Sequence, residues 1–237
     1  MSRFNRDKKE QRKDHNRVHS IDPERHPVTL ICGIHYGDKV VIAADKAVTA
    51  VNANGKKIRH DVEVQKVKLF DFGAIAGAGS SDLIERLPDY LRAHKCQDVR
   101  NVIGCIELCT KKAAAVLKPY DVSITGWFFS GFHEIDGINR GLVLAIYHPG
   151  LEGGPAKAFQ VGTIEFMGMA DISEQEREKF FDKWRNVFHS SYASSDDADV
   201  LPFLRLVMED AAKTSAEVSS TFSAATSDGY STTFLQQ

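Results

Sequence analysis

TLICGIHYGDKVVIAAD, residues 29–45, decides how this chain folds. Val28–Ile34 (VTLICGI) and Lys39–Ala44 (KVVIAA) are short runs rich in β-branched and aliphatic residues. Tyr36-Gly37-Asp38 between them is a turn signal, so the two runs form a β-hairpin. With Gly37 at the centre of the turn, an antiparallel register sets Thr29, at the start of one strand, opposite Asp45, at the end of the other. The register matters because a one-residue slip turns every side chain to the other face.

Outward from the hairpin the pattern continues in blocks. Val51–Lys57 reads as a loop turning at Asn54-Gly55, and Val62–Phe70 as a strand. Ala74–Ala76 follows the Asp71-Phe72-Gly73 turn, and then the small-residue loop Gly77–Ser81 places a serine to cap a helix. Leu83, Ile84, Leu87 and Leu91 recur at helical spacing, with Pro88 inside as a kink. A second helix is expected over Asp98–Leu117, with an apolar stripe that includes Val99, Val102, Ile106, Cys109 and Val116. Strands are expected at Val122–Phe132, Gly141–Tyr147 and Ala156–Val161. Ser173-Glu174-Gln175-Glu176 is a capping box for a helix carrying Phe180, Phe181, Trp184, Val187 and Phe188 on one face. After the polar loop Ser190–Asp197, Asp199 caps a last helix. Thr221–Gln237 closes as a hairpin turning at Asp228-Gly229. Strand runs separated by helix pairs give an α+β layered domain with stacked sheets and helices outside.

Composition narrows the function. The chain has 237 residues, 43% hydrophobic and 26% charged, with a formal net charge of −2, which is an ordinary globular balance for one domain. No charge excess points to nucleic acid, and no apolar run is long enough to span a bilayer. Residues 1–28 differ: charged and poor in apolar groups, they read as a disordered charged N-terminal arm or propeptide, with the folded domain over 29–237. That stretch lacks the apolar core of a signal peptide. The four cysteines are scattered, and Cys105 and Cys109 read as core residues. His35 and His60 read as surface residues.

Phosphate-loop, nucleophile-elbow and zinc-helix motifs are missing. Gly77-Ala78-Gly79 lacks the third glycine of a dinucleotide loop. What remains is Thr29, Asp45 and Lys66. Singly, each is an ordinary strand or turn residue.

Together, TLICGIHYGDKVVIAADKAVTA and the later QKVKLFDFGAIAGAGSSD resemble the start of proteasome β-type subunits. The peptidase of the bacterial two-component ATP-dependent protease has the same pattern. The resemblance implies a proteasome-like fold, a four-layer αββα sandwich of two antiparallel sheets flanked by helix pairs. It implies a threonine endopeptidase, of the N-terminal-nucleophile kind, with catalytic Thr29, Asp45 and Lys66. Substrate-binding residues would be Thr49 and Gly79, with Thr163 in the place of a serine of the family. Lys68 competes for the lysine position and Gly77 for the glycine. No cofactor or metal is implied.

In such a site the threonine hydroxyl loses its proton to the chain's own α-amine, whose pKa near 8 suits neutral pH. The lysine ammonium steadies negative charge, the aspartate keeps the lysine charged, and the Gly79 N–H is an oxyanion donor. Thr29 becomes N-terminal only if residues 1–28 are removed. The family has glycine before the threonine; this chain has Val28. The supporting Asp-x-x-Ser of the family has two imperfect counterparts, Glu217–Ser220 and Asp228–Ser231. The expected partners are unfolded protein or peptide substrates, further copies in a ring, and an ATPase unfoldase or proteasome-like partner subunits, in the cytoplasm. Phe180, Phe181 and Trp184 are either a ring contact or part of the core. The alternatives are an inactive scaffold subunit that keeps its arm, or an amidohydrolase acting on a small amide.

Overall fold

The computed structural model describes residues 29–51, 57–94, 101–117, 119–134, 140–149, 156–192 and 199–235. The charged arm, the Asn54-Gly55 turn, the first residues of the helix expected from Asp98 and most of the Ser190–Asp197 loop lie outside them. The element order is β1 (Ile31–Tyr36), β2 (Lys39–Asp45), β3 (Ala47–Val51), β4 (Lys57–Glu63), β5 (Val67–Phe70), β6 (Gly73–Ala78), α1 (Ser81–Ala93), α2 (Val102–Ala113), α3 (Pro119–Ser123), β7 (Gly126–Glu134), β8 (Arg140–Tyr147), β9 (Ala156–Phe159), β10 (Thr163–Met167), α4 (Glu174–Ser191), α5 (Leu201–Thr214), β11 (Phe222–Ser227) and β12 (Thr232–Phe234).

Among the described residues the strands form three antiparallel sheets: β10-β1-β2-β11-β12, β5-β6-β7-β8-β9, and β3-β4 alone. Both faces of β1 and β2 are covered, which explains their unbroken apolar runs. Leu30, Cys32, Ile34, Val41 and Ala43 pack with Phe181, Phe188, Phe203 and Val207 of α4 and α5. Ile31, Val40, Ile42 and Ala44, the alternate residues, pack with Val67, Ala74, Ala76, Phe128 and Leu144 of the second sheet. The outer face of that sheet, through Ile75, Trp127 and Phe129, packs with Leu83, Leu87, Leu91 and Ile106 of α1 and α2. Among the described residues no helix is long and apolar enough to cross a membrane.

α4 starts where the capping box puts it. The Ser173 hydroxyl accepts from the Glu176 N–H at 3.2 Å, and the Glu176 carboxylate accepts from the Ser173 N–H at 3.1 Å. Its Phe180, Phe181 and Trp184 are 5%, 5% and 6% exposed, so this stripe is core rather than a ring contact. Asp199 caps α5 by accepting from the Leu201 N–H at 3.0 Å.

Several expectations are corrected. Tyr36 pairs with Lys39 and Ile31 with Ala44, so the β1–β2 turn holds two residues, Gly37-Asp38, and the register differs by one from the expected one. Leu30, not Thr29, lies beside Asp45, as the Asp45 N–H donating to the Leu30 carbonyl at 3.1 Å shows. The strand expected over Val62–Phe70 is broken at 64–66. Val122 and Ser123 belong to α3, and β10 begins after a turn where no separate strand is expected from pattern alone. α2 ends at Ala113, which leaves Val116 70% exposed. His35 is buried in β1 with Nδ1 3.2 Å from the Phe159 carbonyl oxygen, and His60 lies in β4.

Candidate active site

Asp45 ends β2, where the sheet stops and the chain turns into Lys46. Its side chain folds back over the end of the sheet. Oδ1 accepts from the Leu30 N–H at 2.9 Å, and Oδ2 from the Ala47 N–H at 2.9 Å and the Ser219 N–H at 3.4 Å. The carboxylate is wholly buried. Fixing it by main-chain donors on three segments makes its position a property of the fold rather than of one neighbour.

Lys66 bridges Asp45 and Thr29. Its ammonium lies 3.2 Å from Asp45 Oδ1 and 3.3 Å from Oδ2, and donates to Thr29 Oγ1 at 2.9 Å. Strict alternation assigns Thr29 to the same face as Ile31 and Asp45 to the opposite face, with Ala43. At the open end of the sheet a long side chain reaches both. Lys66 is aimed there because its flanks are pinned: the Val64 N–H donates to the Lys46 carbonyl at 3.0 Å and the Val67 N–H to Ser223 Oγ at 3.4 Å. Lys68 lies within β5, opposite Ile75, so the lysine at the site is Lys66.

Burial dominates the electrostatics. It pushes the Asp45 carboxyl up from its ordinary value, while Lys66 and the Ala47 and Ser219 N–H groups pull it back. Burial also draws the Lys66 ammonium down, opposed by Asp45 and assisted by the positive charge of Arg59. A lysine drawn below its usual range gives up its proton more readily than an exposed one, and here it is bonded to a hydroxyl oxygen. As an ammonium the same group places a positive charge beside Thr29 Oγ1.

The other candidates are placed unevenly. Thr49 sits in β3 opposite Arg59, and its hydroxyl is buried with no hydrogen-bond partner among the described residues. Gly79 follows β6 with φ +128°, and a Cβ there would lie 2.6 Å from Thr125 Cα. The nearby Gly126 abuts Met167, whose partner is Ile31, so the end of the second sheet carrying Gly79 is the end where Thr29 lies. Thr163 is not brought to the site. It pairs with His35, six residues along β1 from Thr29, which is roughly 20 Å in an extended strand.

The segment next to Thr29 is instead Gly168-Met169. A Cβ on Gly168, whose φ is +118°, would fall 1.6 Å from the Thr29 carbonyl oxygen. Met169 follows, also at positive φ and fully buried. Gly168 in Phe166-Met167-Gly168-Met169 was the available signal. Of the two Asp-x-x-Ser counterparts, 217–220 adjoins the site through the Ser219 N–H. Asp228–Ser231 is a turn in which Asp228 accepts from its own neighbours. Among the described residues no group of three or more His, Cys, Asp or Glu is placed to hold a metal ion.

No family model matches the chain, and no curated protein matches it in sequence. In structure it is similar to a (Gly-1) mutant of Anbu from Hyphomicrobium sp. strain MC1, with a TM-score of 0.60 over 86% of each chain at 14% identity. The coarse relationship is therefore to a proteasome-like fold. Assignment to the proteasome β-type subunits, which the motifs in residues 29–82 prompted, is corrected by these findings. A fold likeness at this identity does not carry family membership, and no family model supplies it.

Proposed function

We propose that this chain is a threonine-type peptidase that cleaves peptide bonds with the Thr29 hydroxyl as nucleophile. The observation that carries the reading is the Lys66 ammonium, 2.9 Å from Thr29 Oγ1 and 3.2 Å from the buried Asp45 carboxylate. In this reading the Lys66 charge stabilises the alkoxide and the tetrahedral oxyanion that follows, and Asp45 holds Lys66 in place. The base is the Thr29 α-amine, which exists only once the Val28–Thr29 bond is cut. Thr49, in its short sheet, holds the substrate as an added strand, and the Gly79 N–H is the oxyanion donor. The four-layer αββα arrangement belongs to the same proposal, supported by the three core clusters. So do a removable arm over 1–28, ring assembly, a partner ATPase unfoldase and a cytoplasmic setting.

Val28 favours a second reading, an inactive scaffold that keeps its arm, because a β-branched residue beside the scissile bond hinders attack. Intact mass and N-terminal sequencing of the purified protein separate the two. The peptidase reading expects a chain beginning at Thr29 that hydrolyses fluorogenic peptides, and a Thr29→Ala chain that keeps residues 1–28. A wild-type chain retaining Met1 to Val28 with no turnover establishes the scaffold.

A further inference from the structure

We propose that β4 is a positioning element for the site, in which Glu63 and Arg59 fix the 215–221 loop so that Ser219 presents its N–H to Asp45. The inference rests on the peptidase reading for its consequence in catalysis, but not for the clamp itself.

β3 and β4 pair with each other and with neither large sheet. β4 nevertheless grips the loop before β11 at two points. Arg59 Nη1 donates to the Val218 carbonyl at 3.3 Å and to the Ala216 carbonyl at 3.4 Å. Glu63, the last residue of β4, accepts the Thr221 hydroxyl proton. Thr221 in turn donates its N–H to Ser219 Oγ at 3.1 Å. The start of the loop is tied separately, by Ser215 Oγ donating to the Asp171 carboxylate at 2.7 Å.

Ser219 lies between these anchors and is 3% exposed. Its hydroxyl is engaged with Thr221, so what it offers Asp45 is a main-chain N–H. Any residue but proline could offer that, and only the path of the loop aims it. At 3.4 Å the bond is at the long end of the range, so a small shift of the loop removes it. Asp45 would then be a buried carboxylate with one donor fewer, and its hold on the charged form of Lys66 would weaken.

The test uses the full chain and needs no turnover. Residue-resolved hydrogen exchange is measured at the Ser219 amide, with the Gly162 amide, bonded to the His35 carbonyl at the far end of β1, as the reference for a hydrogen bond remote from the loop. Glu63→Ala and Thr221→Val are expected to speed Ser219 exchange about tenfold, the scale of one lost hydrogen bond. Gly162 should stay unchanged. Glu63→Gln, which keeps an acceptor, and Thr221→Ser, which keeps the hydroxyl, should restore wild-type exchange. Lys66 should also react faster with an amine-modifying reagent in Glu63→Ala, because a weaker Asp45 leaves more of it neutral. Unchanged Ser219 exchange in Glu63→Ala and Thr221→Val overturns the clamp, as does a Glu63→Gln chain that behaves like Glu63→Ala. Where the wild type hydrolyses peptide, Glu63→Ala should lower kcat several-fold and leave KM in place. A wild type without turnover defeats the peptidase reading, while the exchange data still decide the clamp.

Discussion

The β1–β2 hairpin and the β3–β4 hairpin follow one another in the chain and are built by different rules. β1–β2 is an unbroken ladder from Ile31↔Ala44 to Tyr36↔Lys39, buried in the middle of a five-stranded sheet. β3–β4 has a register shift between Ala47 and Val48, belongs to neither large sheet, and leaves Val62 65% exposed. The regular hairpin brings two ends of chain, Leu30 and Asp45, into one place. The irregular one, with the break at 64–66, delivers the lysine. A continuous strand over 62–70 would have fixed Lys66 by alternation alone. The break frees its backbone to be pinned by Lys46 on one side and Ser223 on the other. In this molecule regularity places the backbone of the site and irregularity aims its side chains.

The largest effect should come from removing the group at the seam of the two hairpins. Asp45→Asn keeps the size but sets an NH2 against either the Leu30 N–H or the Ala47 and Ser219 N–H groups, and leaves Lys66 buried without its counter-charge. A loss of about 3 kcal/mol in unfolding free energy is expected by urea denaturation. The pH dependence should change as well. With its pKa held above the ordinary 3.8, Asp45 binds its proton more tightly folded than unfolded, so it contributes a stability that declines as pH rises from that value through the raised one. Lys66, held below 10.5, has the opposite sign: stability rises with pH from the lowered value toward 10.5. Asp45→Asn should remove the acid-side decline and move the Lys66 titration further down. A variant as stable as wild type, with the same acid-side slope, would mean that the seam is not a coupled pair.

Next is the lysine itself. On a chain that starts at Thr29, Lys66→Ala should reduce peptide hydrolysis a hundredfold or more, which is typical for removal of a charge that stabilises a transition state. Lys66→Arg should fail similarly, because a planar guanidinium does not replace a compact ammonium between two oxygens. Lys68→Ala should keep turnover. The reverse pattern would place the working lysine inside the regular strand and dissolve the contrast between the hairpins.

Much of this was legible because it rests on local rules. The capping box at Ser173 and the leucines of α1 fix their elements through contacts a few residues long. The seam was legible only in part. Thr29, Asp45 and Lys66 were named from the sequence, yet the register that joins them was set one residue away, because a two-residue and a centred turn at Gly37 fit the same letters. Thr163 was misplaced for a related reason. Glycine and a hydroxyl residue at 162–163 imitate the turn that the structure puts at Gly168-Met169, and only the β1–β10 pairing distinguishes them. The β3–β4 pair was hidden because its strands carry little apolar alternation. The Ser219 donor is a main-chain group, which no residue letter can announce.

Gly168 sharpens the comparison from the regular side. Gly168→Ala sets a methyl against the Thr29 carbonyl, in a backbone conformation that alanine adopts with strain. Thermal or urea unfolding should show a loss of about 2 kcal/mol, from clash and strain together. Gly162→Ala, also at positive φ but with open space around its Cβ, should cost about 1 kcal/mol from strain alone. Equal costs at the two glycines would show that Thr29 is not packed against the β10 turn.

The smallest effect expected is at Thr49, and it bears on what the irregular hairpin is for. Its hydroxyl is buried without a partner among the described residues, so folding gives up hydration there and gains no hydrogen bond from them in return. Valine has the same branched shape without the hydroxyl. Thr49→Val should therefore be neutral or stabilising by up to about 1 kcal/mol, read as a raised midpoint in urea. A strand that holds substrate by its main chain would lose nothing in KM by this change. A hydroxyl waiting for the substrate would lose its bond, and KM would rise about tenfold, the size of one hydrogen bond, with kcat preserved. Stability gained with KM intact makes Thr49 a packing residue and leaves recognition to the β3 backbone. Stability gained with KM raised makes the unpaired hydroxyl part of recognition. A loss of stability would contradict the burial of that oxygen and remove Thr49 from both accounts.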